Sequence, residues 1–265
     1  SRVANASPQV ANALPQQTMT YIGAPLPSGR GSVVACNLRD LQRVRFNRYQ
    51  FFCYRVPVSL LPPIYPITDR VIGGNRPHSD LARDLIAGGA TWIQIRDKEL
   101  SDPELILQLR QILQHVTSPK VKILVNDRVK IALQPGVSGL HLGQDDASVQ
   151  EARRLLPHAI IGFSTHSLEQ AKAADSLAVD YISVGPIFPT QTKIENPPMG
   201  IQTLRKIRQA VSKPLVAIGG ITLTNVAEVW AAGADSVAVI SDIMKQQDIA
   251  GRIASYLAQW QKIHA

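Results

Sequence analysis

Cysteine is scarce in this 265-residue chain: there are two, Cys36 and Cys53, and both lie in the first 62 residues. Two thiols without a secretory signal do not make a disulfide framework. The stretch from residue 63 onward has none, which excludes a thiolate nucleophile and a Cys-ligated zinc site there. Lysine and acid are scarce at the other end. Residues 1–62 carry seven arginines, no lysine and a single acid, Asp40, so they hold +6 of the formal charge of +8. The basicity therefore belongs to this leader and is no guide to a substrate. Dense Lys/Arg blocks and stacking motifs are missing as well, so no nucleic-acid partner is expected. No apolar run approaches the roughly 20 residues that span a bilayer, so a soluble, cytoplasmic protein without a membrane partner is expected. A Gly-x-Ser-x-Gly elbow is absent too, which removes support for a Ser-His-Asp hydrolase.

Residues 1–62 contain a turn-rich stretch from Pro25 to Gly31 and no sustained periodicity. They read as a basic, poorly ordered extension in which only Val34 to Tyr54 has the makings of a short helix or strand. Its arginine-bearing, acid-poor composition resembles an organellar transit peptide, which makes an organelle the alternative location. It is not Ser-rich, however, and an upstream or added segment fits equally well.

From Pro63 the pattern changes. Short β-rich runs alternate with amphipathic stretches of about 10–15 residues, the mark of repeated βα units. The strand candidates are Ile64–Thr68, Trp92–Arg96, Lys122–Asn126, Gly139–Leu142, Ile160–Ser164, Tyr181–Val184, Leu215–Ile218 and Ser236–Ile240. Helical patterns fall at Ser79–Ala87, Asp102–Val116, Ser148–Leu156, Ser167–Ala174, Ile201–Val211, Asn225–Ala232 and Ile249–Ile263, with a weak one after Val129. Gly88-Gly89, Gly233 and Ser212–Pro214 sit where helices should end. Eight units in about 200 residues predict a (β/α)₈ TIM barrel over residues 63–265. Strand order is not written in a sequence, so an open doubly wound sheet is the alternative.

In a barrel, chemistry comes from the C-terminal ends of strands and the loops after them. Strand two runs into Gln94-Ile95-Arg96-Asp97-Lys98, whose alternation would turn Gln94, Arg96 and Lys98 to one face. A guanidinium fork beside an ammonium suits a diphosphate. Charges paired at a solvated strand end, with Asp97 and Glu99, are the plainer reading. Strand three ends in Asn126-Asp127, and strand four is followed by Gln144-Asp145-Asp146. Carboxylates on adjacent strand ends can hold Mg²⁺, a hard ion that keeps waters and phosphates in its shell. They can equally cap the next helices. His141 reads first as a packed, hydrogen-bonded residue, and Ser164 as a hydroxyl that binds phosphate oxygens or caps the next helix. The long loop after strand six offers Thr190, Thr192 and Lys193. Gly219-Gly220 and Ile240-Ser241 end strands seven and eight, where barrels often bind a phosphate.

Tyr65-Pro66-Ile67-Thr68-Asp69, Gln94-Ile95-Arg96-Asp97-Lys98, Val125-Asn126-Asp127, His141-Leu142-Gly143-Gln144-Asp145-Asp146, Ser164-Thr165-His166, Gly185 to Lys193, Gly219-Gly220 and Ile240-Ser241 follow one another in register. In that order they resemble the thiamine phosphate synthase family over residues 63–245. The resemblance implies a transferase of thiamine biosynthesis that couples hydroxymethylpyrimidine diphosphate to thiazole phosphate. It assigns Gln94, Arg96, Lys98, Asn126, Ser164 and Lys193 to the pyrimidine diphosphate, with Arg96, Lys98 and Lys193 assisting departure of the leaving group. Asp127 and Asp146 are assigned to Mg²⁺. Thr190, Thr192, Gly220, Ile240 and Ser241 are assigned to the thiazole phosphate. A related thiazole tautomerase uses a His in the strand-six loop, where this chain has Pro186. A non-catalytic phosphate-binding barrel is the third reading. Arg128 departs from members that carry a second acid there, which puts the shape of the metal site in question. A homo-oligomer and the form of the thiazole substrate stay open.

Overall fold

The structure is a computed structural model that describes residues 61–190 and 197–265. Apart from Leu61 and Pro62, the basic leader lies outside the described residues, and so does the expectation of poor order placed on it. Eight strands follow one another: β1 (Ile64–Thr68), β2 (Trp92–Ile95), β3 (Lys122–Asn126), β4 (Gly139–Leu142), β5 (Ile160–Thr165), β6 (Tyr181–Val184), β7 (Leu215–Ile218) and β8 (Ser236–Val239). They are joined through α1 (His78–Ala87), α2 (Asp102–His115), α3 (Val129–Ala132), α4 (Val149–Leu155), α5 (Leu168–Asp175), α6 (Gly200–Ala210) and α7 (Val226–Ala231). After β8 come α8 (Ser241–Met244) and α9 (Ile249–His264).

All neighbouring strands pair in parallel, and β8 returns to β1 through Ile64↔Val237, Tyr65↔Ala238 and Pro66↔Val239. That closure makes a barrel and removes the open-sheet alternative. The expected strands are all present, and differences are confined to an end residue: β2 stops at Ile95, β8 at Val239, and β5 continues to Thr165. The short helix α8 was not expected, because four residues carry no readable period. Among the described residues, no helix is long and apolar enough to cross a membrane.

The strands read as continuous apolar runs because both of their faces are covered. Outward side chains such as Ile93, Val125, Leu140, Ile182 and Val237 pack under the helices in one large cluster. Inward ones form a separate plug inside the barrel: Tyr65, Ile67, Trp92, Leu124, Tyr181, Val216 and Ala238. Three aromatic rings of this plug meet edge to face, with Tyr65 5.8 Å from Trp92 and 5.9 Å from Tyr181. Gly162 makes room for them, since a Cβ there would lie 2.0 Å from Tyr181 Cζ. Tyr65, Ile67, Val216 and Ala238 of this plug form the floor of a cavity at the C-terminal mouth.

Helix starts are set locally. Ser101 and Glu104 form a capping box on α2, Ser148 accepts from the Glu151 N–H, and Ser167 accepts from the Gln170 N–H. The N-cap of α3 is Arg128, with no side-chain cap hydrogen bond, and that of α4 is Ser148, so neither Asp127 nor Asp146 caps the helix that follows it.

Candidate active site

At the C-terminal mouth lies a cavity of about 940 Å³, counting the part open to solvent. Of the sequence-predicted residues, Gln94, Arg96, Asn126, Ser164, Thr190, Gly220, Ile240 and Ser241 all line it. Lys98, Asp127 and Asp146 are not among its lining residues and form a group of their own, joined to the cavity wall through Asn126. Thr192 and Lys193 lie outside the described residues.

The expected alternation of Gln94, Arg96 and Lys98 along one strand does not hold, because β2 ends at Ile95. Gln94 is the inward residue of the three and is buried at the cavity floor. Arg96 stands just past the strand, where its Nη1 donates to Asp69 Oδ2 at 2.8 Å. Asp69 is itself fixed, its Oδ1 accepting from the Ile72 N–H at 3.1 Å. Lys98 lies further along the loop and donates to the Asp127 carboxylate. The two cations are thus set at different depths, each against an acid.

Asp127 follows β3 with φ 62°, a left-handed conformation that costs a non-glycine residue about 1–2 kcal/mol. Its N–H donates to the His141 carbonyl at 2.8 Å. The Asp146 carboxyl hydrogen-bonds to Asp127, and Asp146 Oδ2 also accepts from the Gly143 N–H at 2.6 Å. Two carboxyls in contact repel unless a proton or cation lies between them. Burial and the hydrogen bond to Asp127 push the Asp146 carboxyl above its ordinary range. Burial also acts upward on Asp127, but the Lys98 ammonium and the Asp146 hydrogen bond outweigh it and hold Asp127 below its ordinary range. Of the two, Asp146 is therefore the carboxyl that takes up a proton first as pH falls. Among the described residues there is no group of three or more His, Cys, Asp or Glu side chains arranged for a metal. Two oxygen donors with solvent and phosphate completing the shell is nonetheless a set that fits Mg²⁺.

A buried hydrogen-bond chain supports the cavity floor. Gln94 Nε2 donates to Tyr65 Oη at 3.1 Å, and Tyr181 Oη donates to the same oxygen at 3.1 Å. Tyr181 then accepts from His141 Nδ1 at 2.8 Å, which leaves His141 Nε2 to accept from Ser164 Oγ at 2.9 Å. His141 is thus packed and hydrogen-bonded, as the plainer reading of it expects, yet it also lines the cavity. Burial pushes both tyrosine hydroxyls up, far from ionisation, so neither tyrosine supplies a base, and both serve to position the groups around them. Sequence reading gave Tyr65 and Tyr181 no role. The available signal was Gly162 in mid-strand, which marks a close approach by a neighbour.

The opposite wall is built from backbone. Gly219 and Gly220 have φ 98° and 64°, and Asn225 Nδ2 donates to the Gly220 carbonyl at 3.0 Å. The loop after β6 is sewn to this segment: Ile187 N–H donates to the Ile218 carbonyl at 2.9 Å and Phe188 N–H to the Gly219 carbonyl at 3.0 Å. A Cβ on Gly220 would lie 2.6 Å from the Pro189 carbonyl oxygen, so only glycine fits there. Ser241 opens α8, which Asp242 ties to Leu223 N–H and Tyr256 Oη. His166, quoted only as part of a motif at the sequence level, also lines the cavity, and its Nδ1 donates to the Gly185 carbonyl at 2.7 Å.

Comparison with known proteins points in one direction. A family model described as thiamine monophosphate synthase matches residues 64–243. The chain is 44% identical over 190 residues to a thiamine-phosphate synthase of Koribacter versatilis, which covers 69% of this chain and 90% of that protein. It is 47% identical over 188 residues to the thiamine-phosphate synthase of Methanoregula boonei, covering 70% of this chain and 87% of that one. Among solved structures, it is similar to a thiamine phosphate pyrophosphorylase from Pyrococcus furiosus, at 34% identity and a TM-score of 0.70, over 76% of this chain and 96% of the other.

Proposed function

The chain belongs to the thiamine monophosphate synthase family, and from that premise we propose how the mouth of its barrel divides the reaction between two unlike halves. The enzyme is a transferase of the thiamine-phosphate synthase type. Its pyrimidine diphosphate lies in the half bounded by Gln94, Arg96, Asn126 and Ser164, with Lys98 reaching the diphosphate and Lys193 assigned to it by the family resemblance alone. Its thiazole phosphate lies against Gly220, Ile240 and Ser241, with Thr190 from the strand-six loop and Thr192 assigned to it by the family resemblance alone. The observation that carries this reading is that Arg96 and Gly220 face one cavity.

Mg²⁺ held by Asp127 and Asp146 would neutralise negative charge on the diphosphate as it leaves. The chain's own part is to hold cations where that charge develops, at preset positions that need no reorganisation. Arg96 contributes a planar fork already aimed by Asp69. Departure of diphosphate leaves a pyrimidine-methyl cation, which the thiazole nitrogen attacks. No general base is required to start this sequence, in keeping with the tyrosines being held protonated. The substrates need only be brought within reacting distance, which the shared cavity does.

Pro186 lines the cavity where a tautomerase would need a titratable histidine, which favours coupling over isomerisation. The test is to supply both substrates, with and without Mg²⁺, and to measure thiamine phosphate. Mg²⁺-dependent coupling is the expected result. Isomerisation of the thiazole without coupling, or binding of both substrates without turnover, would overturn the assignment.

A further inference from the structure

We propose that Arg128 is a positioning residue: its guanidinium fastens the turn carrying Asp127 to the loop carrying Lys98, and so sets the spacing of the groups that meet Mg²⁺ and diphosphate. The inference rests on the reading of that half of the mouth given above.

At the sequence level Arg128 replaces no assigned ligand, but as a departure from members with a second acid there it puts the shape of the metal site in question. The structure turns it the other way. Arg128 Nη2 donates to the Asp97 carbonyl at 3.0 Å, and Nη1 donates to Asp102 Oδ1 at 3.0 Å. These acceptors stand at the two ends of the connection between β2 and α2, and Lys98 lies between them. The near end of that connection is firmly held. The Asp97 carboxylate accepts from Arg70 Nε at 3.0 Å, from His78 Nε2 at 2.9 Å, and from the N–H groups of Glu99 and Leu100 at 2.8 and 2.7 Å. Arg128 is thereby anchored to a fixed point.

What it anchors is the left-handed turn at Asp127. The Arg128 N–H donates to the Asn126 carbonyl at 2.7 Å, closing the backbone tightly around Asp127. Only two non-glycine residues among those described have positive φ, and Asp127 is one of them. A residue in that conformation persists only where its surroundings hold it. The Arg128 backbone closes the turn, while its side chain ties the turn to the neighbouring loop. Lys98 and Asp127 consequently meet across two strand ends that no β-ladder bond aligns at this height. The plainer reading is a surface ion pair with Asp102, whose side chain is 52% exposed, and such pairs contribute little. The bond to the Asp97 carbonyl is what sets Arg128 apart, because a forked guanidinium spans both acceptors and an ammonium does not.

The test uses the full chain and variants Arg128→Ala, Arg128→Lys and Asp102→Asn. Calorimetry measures binding of Mg²⁺ with inorganic diphosphate, and steady-state kinetics gives KM for each substrate separately. Arg128→Ala should weaken Mg²⁺–diphosphate binding on the order of 10- to 100-fold, as loss of outer-shell partners does. KM for the pyrimidine diphosphate should rise with it, while KM for the thiazole phosphate stays put. Arg128→Lys should fall between and carries the test if Arg128→Ala does not fold, while Asp102→Asn, which keeps the bond to the Asp97 carbonyl, should stay close to the unaltered chain. Wild-type-like diphosphate binding in every folded Arg128 variant, or an equal loss on both substrates, overturns the proposal. If the unaltered chain itself binds no Mg²⁺–diphosphate, the reading of that half fails, and Arg128's role goes with it.

Discussion

Lys98 donates to the carboxylate of Asp127 across the ends of β2 and β3, so a cation and a metal-ligand candidate neutralise one another before any substrate arrives. The ammonium is 56% exposed and its partner 19%. An exposed lysine of this kind can swing to a diphosphate, leaving Asp127 to a metal ion. Replacing Asp127 by Ala or Asn should lower kcat by about 10²–10³-fold, the scale of losing one preset electrostatic group. A titration of kcat against Mg²⁺ checks this. Unchanged activity of Asp127→Ala at limiting Mg²⁺ would remove Asp127 from the site.

The contact between the Asp127 and Asp146 carboxyls gives Mg²⁺ binding a pH dependence of definite sign. Burial and the contact with Asp127 raise Asp146, so at lower pH a proton occupies the position the ion needs. Apparent Mg²⁺ affinity should fall as pH drops through Asp146's raised range and level off above it. Calorimetry in buffers of different ionisation enthalpy should count a proton released on binding. An Mg²⁺ affinity that does not fall at all on acidification of the folded protein would show that Asp146 does not take part in binding. Asp146→Asn should abolish the slope along with most of the affinity.

The eight strands were legible because a barrel strand, covered on both faces, must be a short apolar run between turn signals, and such runs are hard to miss. The same property hid the plug. Tyr65 and Tyr181 sit in runs where every residue is buried, so alternation could not say which side chains face the lumen. The cationic half was legible as residue types but not as geometry. Gln94, Arg96 and Lys98 were expected on one strand face, and β2 stops too soon for that. The direction of Arg128 could not be read at all, because a long side chain reaches either the metal site or the next loop from the same backbone position. Thr192 and Lys193 lie outside the described residues, so their placement rests on the sequence.

Gly162 gives a direct test of the plug. It pairs with Tyr181 in the β5–β6 ladder, and a Cβ there would stand 2.0 Å from Tyr181 Cζ and 2.3 Å from its oxygen. The neighbour is a ring packed on three sides, which cannot give way cheaply. Gly162→Ala should cost about 1–3 kcal/mol as overpacking. Because the displaced hydroxyl also holds His141, activity should fall in molecules that remain folded. Urea unfolding midpoints and kcat measured on the same preparation check both parts. A variant as stable as the parent would mean the ring is not held where the structure has it.

His78 predicts how the fold itself responds to acid. Its side chain is fully buried, and burial pulls its pKa below the ordinary 6.5 despite the neighbouring Asp97. The neutral ring explains the hydrogen bonding: Nε2–H donates to Asp97, while Nδ1, which has no partner, keeps a lone pair rather than a stranded proton. Protonation would place an N–H donor at Nδ1 with no acceptor, which buried structure disfavours. In the unfolded chain the same ring takes up a proton near pH 6.5. Stability from this group is therefore present above about pH 6.5 and is lost as pH falls toward the lowered folded value. Asp97 acts in a separate and lower window. Burial pushes it up, but the Leu100 and Glu99 N–H groups and His78 hold it below the ordinary carboxylate range. Its contribution is present above about pH 3.9 and lost beneath that. Unfolding free energies measured by urea at a series of pH values should thus slope downward in two stages. His78→Gln should flatten the upper stage while leaving the lower one. If the slope between about pH 6.5 and pH 5 survives in that variant, the titrating group is not His78.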